Sequence, residues 1–216
     1  MYPLLAHHRE LLGSLREPTA ADPWRVLISG CLAGWRCGVD ATDYGLGTSL
    51  ADLASLPTFR AFAFCPEQLA LGTPRSTPDI HGGDGFDVIA RRARILDEHG
   101  VDLTEEMLRG ARAMLVFAEA SRVDLAILTD MSASCGSQVI SSGSRLVQNR
   151  RYQKGVGVAS AMLLDAGVPV VSQRDHRTLA LLRAKLEPGY APPAGLLDHH
   201  EHAWTAENLP GSHPRA

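Results

Sequence analysis

The sequence predicts an α/β fold, a Rossmann-like three-layer sandwich on a mostly parallel sheet, and three observations carry that expectation. Short apolar runs recur along the chain: Arg25-Val26-Leu27-Ile28-Ser29, Ala61-Phe62-Ala63-Phe64, Leu125-Ala126-Ile127-Leu128 and Val168-Pro169-Val170-Val171. Each has the length and residue types of a buried strand. Helical spacing appears in the stretches between them, and strands alternating with helices at this interval mark a parallel sheet with crossover helices.

Taken in order, residues 1–23 hold one short helical pattern (Leu4, Leu5, Leu11, Leu12, Leu15) and a Pro/Ala/Asp linker, read as an N-terminal helical extension. The main α/β domain is expected over residues 24–175. Its first strand stops at Gly30, and a helix is expected around residues 49–56. Residues 87–96 alternate apolar and charged side chains (Val88, Ala90, Ala93, Ile95) and read as a solvent-facing hairpin or strand pair. The clearest helix starts near Thr104, where Met107, Leu108, Ala111, Leu115 and Ala118 fall on one stripe. Asp102-Leu103-Thr104-Glu105 offers oxygens to its first free N–H groups. A further helix is expected over residues 158–166. After Arg174 the character changes to a short helix (residues 178–185), then Pro188, Gly189, Pro192, Pro193 and a His-rich tail. This C-terminal extension, residues 176–216, reads as an appended arm. Its His199, His200 and His202 are taken as exposed polar residues in preference to a metal site.

A chain of 216 residues can bury one core. Its apolar fraction of 45% and charged fraction of 21% are those of an ordinary globular protein. The net charge of -3 gives no electrostatic case for a nucleic-acid surface. Arg91, Arg92 and Arg94 read as solvated charge, and Arg145, Arg150, Arg151 and Lys154 form a second basic group. No apolar run reaches the length of a membrane span, and the start lacks a signal-peptide pattern, so a cytoplasmic location is expected. Disulfides are rare there. The four cysteines then read as metal ligands, catalytic thiols or core residues.

Their positions relative to the strands are informative. Cys31 lies two residues past the first strand, Cys65 directly follows Phe64, and Cys135 comes seven residues after Leu128 in a Ser/Gly-rich loop. In a parallel sheet these loops open at the carboxyl edge, where ligands of open α/β sheets bind. Three thiolates there suit an iron–sulfur cluster, which accepts ligands from distant segments and with three of them keeps one iron open as a Lewis acid. Structural zinc favours four ligands with a close cysteine pair, which this sequence lacks. A three-cysteine zinc site and nucleophilic or inert cysteines remain as alternatives. Cys37, six residues after Cys31, reads as a spectator more readily than as a fourth ligand.

The same loops carry ordered strings: Cys31-Leu32-Ala33-Gly34 with Cys37 and Asp40, Cys65-Pro66-Glu67 with Pro74-Arg75, Ser132-Ala133-Ser134-Cys135-Gly136, and Gly155-Val156-Gly157-Val158-Ala159. Over residues 24–175 the chain resembles the thiouracil desulfidase family. The resemblance implies an enzyme that removes sulfur from a thiolated pyrimidine base or nucleotide, using a 4Fe-4S cluster held by Cys31, Cys65 and Cys135. Departures from the family strings are clear. Gly38-Val39-Asp40-Ala41 stands where Arg-Tyr-Asp-Gly is usual, Ala133 replaces a proline, and Thr129-Asp130-Met131 occupies a stretch where a lysine is common.

For C=S to become C=O with release of sulfide, a carboxylate within hydrogen-bonding reach can take a proton from water as the soft sulfur binds the open iron. Glu67, two residues from a ligand, is the first candidate, Asp40 the second, and Ser134 is placed to hydrogen-bond the substrate ring. Arg75 and Ser132 are candidate substrate contacts, and the N–H groups of Gly155 and Gly157 are candidate phosphate donors. The residues leave open a free base, a nucleotide or tRNA as substrate, as well as the oligomeric state. Two rival readings are a non-catalytic module that binds sulfur or a cluster and a zinc or thiol hydrolase.

Overall fold

The computed structural model describes residues 12–209. Four parallel strands form the central sheet: β1 (Trp24–Ser29), β2 (Phe59–Phe64), β5 (Leu125–Leu128) and β8 (Val170–Ser172), in the order β2-β1-β5-β8. The chain moves from β1 outward to β2 and later returns to place β5 on the other side of β1. The switch point therefore lies between β1 and β5, where such sheets open a crevice at their carboxyl ends. Register aligns the four ends, since Ser29 pairs with Phe64, Ile28 with Ile127, and Leu128 with Ser172.

Side chains alternate across this sheet as strand geometry requires. Leu27, Ala126, Leu128 and Val170 face one core, filled by Met107, Leu108, Ala111, Met114 and Ala118 of helix Thr104–Ala120 and by helix Val158–Asp165. Trp24, Val26, Ile28, Leu125, Ile127 and Val171 face a second core, closed by Leu53 of helix Ala51–Ala54 and by Leu182 and Leu186 of helix His176–Leu186. Three layers result, as the sequence pattern implied. Full burial of each large aliphatic side chain contributes about 1.5–3 kcal/mol.

Numbered in chain order, the helices are α1 (Ala51–Ala54), α2 (Pro66–Leu71), α3 (Gly85–Ile89), α4 (Thr104–Ala120), α5 (Val158–Asp165), α6 (His176–Leu186) and α7 (Ala203–Asn208). Two antiparallel pairs complete the fold: β3 (Asp79–His81) with β4 (Arg94–Leu96), and β6 (Val139–Ser141) with β7 (Tyr152–Lys154).

The expected hairpin over residues 87–96 is not formed. Residues 85–89 are α3, because Asp84 accepts from the N–H groups of Phe86 and Asp87 while the Asp87 carboxylate accepts from the Asp84 N–H, a reciprocal cap. β4 pairs with the upstream β3, and its Ile95 is buried. Of the N-terminal pattern, Leu4, Leu5 and Leu11 lie outside the described residues, whereas Leu12 and Leu15 pack on the second core. The segment after residue 175 is integral to the described fold, since α6 closes one of its two cores.

Glycine at one helical position sets how the site is built. A Cβ on Gly110, inside α4, would stand 2.3 Å from the Pro66 carbonyl oxygen. Glycine there lets α2 lie directly on α4, which holds the strand-to-helix turn bearing Cys65.

Candidate active site

At the carboxyl edge of the sheet a cavity of about 370 Å³ is lined by all four cysteines together with Glu67, Arg75 and Ser132. No disulfide links the cysteines. Cys31 sits in a tight 3-10 turn, Gly30–Ala33, that continues β1. Its Sγ is 2.9 Å from the Thr129 hydroxyl, and the Thr129 N–H donates to Ser29 Oγ at 3.0 Å, so the ends of β1 and β5 are tied beside the thiol. Cys65 caps α2, its Sγ accepting from the Gln68 N–H at 3.3 Å, with Pro66 supplying the first helical residue. A Cβ on Gly30 would come within 3.2 Å of both Cys37 Sγ and Cys65 Cβ. The absent side chain leaves room for the loops to approach.

Cys37, read as a spectator from its spacing, shares this wall. Its thiol hydrogen-bonds toward Cys31 and Cys65, and these bonds are the main reason both neighbours are acidified, Cys31 to about 7, while Cys37 itself is raised. Burial pushes the Cys135 thiol well up. Soft sulfur donors of this kind suit zinc, copper(I) or iron–sulfur groups. A thiolate as buried as Cys135, at 6% exposure, becomes stable when a bound cation balances it. The donor set therefore fits a thiolate-bound metal group. Among the described residues no three His, Cys, Asp or Glu side chains are gathered closely enough to hold a single ion.

Glu67 is the hub of a buried polar network. Its Oε2 accepts from Arg75 Nη2 at 2.6 Å and its Oε1 from the Ser132 hydroxyl at 2.9 Å. Ser132 Oγ in turn accepts from the N–H groups of Ser134 (3.1 Å) and Cys135 (3.0 Å). Arg75 also donates to the Cys37 carbonyl at 2.9 Å. Burial opposes the charge on Arg75, but the Glu67 carboxylate outweighs it and raises the guanidinium pKa above its ordinary value. One carboxylate thus connects the loops of Cys37, Cys65 and Cys135.

Other sequence candidates fall elsewhere. Asp40 is exposed and away from the cavity lining, its Oδ1 accepting from the N–H and hydroxyl of Thr42, which lower its pKa. It forms a turn and does not reach the cysteines' cavity. Ser134 is fully buried behind the lining, its Oγ without a hydrogen-bond partner among the described residues. Gly155 and Gly157 do not present N–H groups to a ligand, because these donate to the carbonyls of Gln138 (3.1 Å) and Gly136 (2.7 Å). A Cβ on Gly157 would stand 2.4 Å from Ser134 backbone atoms, so this glycine serves close backbone packing against the Cys135 loop.

Asp130 was missed. It lines the cavity although its side chain is fully buried. Its Oδ1 accepts from the N–H groups of Met131 (3.0 Å), Ser137 (2.9 Å), Gln138 and Val139 (3.3 Å each). Its Oδ2 is 2.6 Å from His199 Nδ1, and His199, expected in an exposed tail, has no solvent exposure. Burial opposes the Asp130 charge, but the His199 and backbone hydrogen bonds prevail and hold its pKa below the usual carboxylate range. Thr129, Tyr44, Tyr152 and Arg174 also line the cavity. Thr129 had a local signal, its place immediately after β5. Arg174 had the same kind of signal, two residues after β8, whereas Tyr152 had none, because nothing near it in sequence marks the edge it reaches.

A doubly wound domain with cysteines from three loops at its switch point defines a class of α/β proteins by both fold and site. Residues 26–175 match the family model described as 2-thiouracil desulfurase, and the chain belongs to that family. The Bacillus subtilis (strain 168) protein YbbK, itself uncharacterized, is 32% identical over 151 residues, which span 69% of this chain and 96% of YbbK. A solved structure described as the 4Fe-4S-dependent thiouracil desulfidase TudS superposes with a TM-score of 0.61 at 30% identity. That similarity covers 74% of this chain and 98% of TudS. No helix among the described residues is long and apolar enough to cross a membrane.

Proposed function

We propose that this chain is a desulfidase acting on a thiolated pyrimidine base or nucleotide, with a 4Fe-4S cluster held by Cys31, Cys65 and Cys135. The reaction balances as C=S plus water giving C=O plus hydrogen sulfide. The observation that carries the reading is the meeting of these three cysteines and Glu67 at one cavity at the sheet's switch point. Family membership and the desulfidase named in the structural comparison support it. When bound, the cluster supplies a thiophilic Lewis acid for the thiocarbonyl sulfur.

The chain's own residues supply the rest. Glu67 accepts a proton from the attacking water. Its two oxygens each hold one hydrogen bond, and each carboxylate oxygen has capacity for another. Arg75 aims the carboxylate, and Ser132 fixes its other oxygen while bracing the Cys135 turn. Arg174, exposed at the mouth, is placed to meet an incoming anionic or carbonyl group.

Anaerobic purification with iron and sulfide quantitation, followed by sulfide release from thiouracil and thiouridine derivatives, tests the proposal. A brown protein that releases sulfide from one of them is expected. A colourless chain that takes up no iron and sulfide on anaerobic reconstitution would overturn the cluster assignment. A cluster-loaded chain inert toward the whole panel would overturn the activity.

A further inference from the structure

Past residue 175, where the family match ends, the chain places a short segment against the back of the Cys135 loop. The contacts are buried and reciprocal. His199 Nδ1 meets Asp130 Oδ2 at 2.6 Å, and the His199 N–H donates to Asp175 Oδ1 at 3.0 Å. Asp175 also accepts from the Gln138 side-chain amide at 2.5 and 2.6 Å and from the Ser172 N–H at 3.0 Å. The Thr205 hydroxyl donates to the His199 carbonyl, and the Trp204 ring stacks on the imidazole with centroids 6.0 Å apart. Trp204 also meets Tyr152 edge-on at 5.1 Å, and Tyr152 lines the cavity.

The held loop needs such support. Met131, its first residue after Asp130, has φ of 62°, a left-handed conformation uncommon outside glycine and asparagine that persists when surroundings over-determine it. The Asp130 carboxylate supplies that determination, taking the Met131 N–H at one end of the loop and those of Ser137, Gln138 and Val139 at the other. Between those anchors lies Cys135. A carboxylate with no exposure requires donors on both oxygens, because an unmatched buried charge is costly. His199 supplies the donor to Oδ2.

We propose that the C-terminal segment 198–205 is a built part of the active site, with His199 a positioning residue that acts through Asp130 to fix the loop bearing Cys135. Its bearing on catalysis rests on the desulfidase reading above. The loop geometry does not, so the two can fail separately.

The test uses the full chain, purified anaerobically and stripped of metal, as parent, His199→Leu, His199→Asn and His199→Gln. Amide hydrogen exchange at residues 131 and 137–139 and the rate of iodoacetamide alkylation at Cys135 are followed by mass spectrometry. Exchange in strand β5 reports global stability. Losing a hydrogen bond to a buried charge predicts exchange and alkylation faster by about ten- to hundred-fold in His199→Leu, beyond any change in β5. Asparagine, whose amide reaches the Nδ1 position, is expected to restore protection, and glutamine, which reaches toward Nε2, is not. Should the leucine variant fail to fold, the asparagine and glutamine pair decides the question. Equal loop protection in those two, or loop and β5 changing together in every variant, would overturn the positioning role. In reconstituted protein, faster iron loss to a chelator from His199→Leu than from His199→Asn is the matching expectation, and equal loss would overturn the link to the metal group.

Discussion

Replacing Glu67 with glutamine preserves shape and deletes one charge from the network that joins three cysteine loops. Glu67 and Arg75 have side-chain exposures of 12% and 5%, so the pair is shielded from water and salt. Breaking such a pair by neutralising one member costs about 3–5 kcal/mol, because the remaining charge stays buried. Arg75 keeps neutral acceptors in the carbonyls of Cys37 and Gly72 and the Thr73 hydroxyl, which places the loss near the lower bound, about 3 kcal/mol. In a chain of this size each kcal/mol moves Tm by about 2–4 °C, so the metal-free variant should melt about 6–12 °C lower. Turnover should fall by about 100-fold or more, the typical contribution of a general base. Circular dichroism of the metal-free chain gives the first number, and sulfide release normalised to bound iron gives the second. A Tm within about 2 °C of the parent would show that the pair is not energetically buried. Turnover within about three-fold would remove Glu67 from proton transfer, since a working base is worth far more.

Three further outcomes follow from the geometry. Gly157→Ala places a methyl 2.4 Å from Ser134 backbone atoms that cannot rotate away, so urea unfolding should show a loss of about 1–3 kcal/mol; an unchanged midpoint would mean that the close approach is not real. Asp40→Ala should leave sulfide release per cluster unchanged, because the carboxylate serves only its own turn outside the cavity, and a large drop would restore it as an acid or base. Burial, reinforced by the Asp198 and Asp130 carboxylates against the opposing His199 and Ser172 N–H groups, lifts the Asp175 carboxyl from 3.8 to about 7. The folded state therefore binds this proton more tightly than the unfolded chain, and the resulting stability is full below about pH 4 and lost as pH rises through about 7. Urea titrations from pH 5 to 8 should show parent stability falling relative to Asp175→Asn, and parallel curves would refute the shift.

The sheet was legible because its strands are local objects. Val26-Leu27-Ile28 and Leu125-Ala126-Ile127-Leu128 are runs that only a strand buried on both faces accommodates, and their chain order implied parallel pairing. Once the strands are placed, Cys31 and Cys65 must emerge at one edge. Cys135 belongs to a longer loop but starts from the same end of β5. By contrast, β6 and β7 have three residues each, too few to display an alternation. The start of α2 had a readable signal in Pro66 at its first position, with Cys65 before it as cap. Gly155 and Gly157 misled because two glycines before a helix look alike whether they approach a phosphate or a carbonyl. The deciding partners, the Gln138 and Gly136 carbonyls, lie in another loop.

The same distinction separates the site residues by how each is held. Cys31, Cys65 and Glu67 each owe their position to a strand end or the first turn of a helix. Other residues of the site depend on remote partners. After β5 comes Thr129, whose hydroxyl meets Cys31 Sγ, followed by Asp130, which reaches across 69 residues to His199. The Asp130 carboxylate is held by an imidazole and four backbone N–H groups. A buried aspartate at the end of β5 is tolerable only if something supplies those donors, and His199 is one of them. Asp130 and the segment beyond residue 175 are therefore physically one unit, joined through His199.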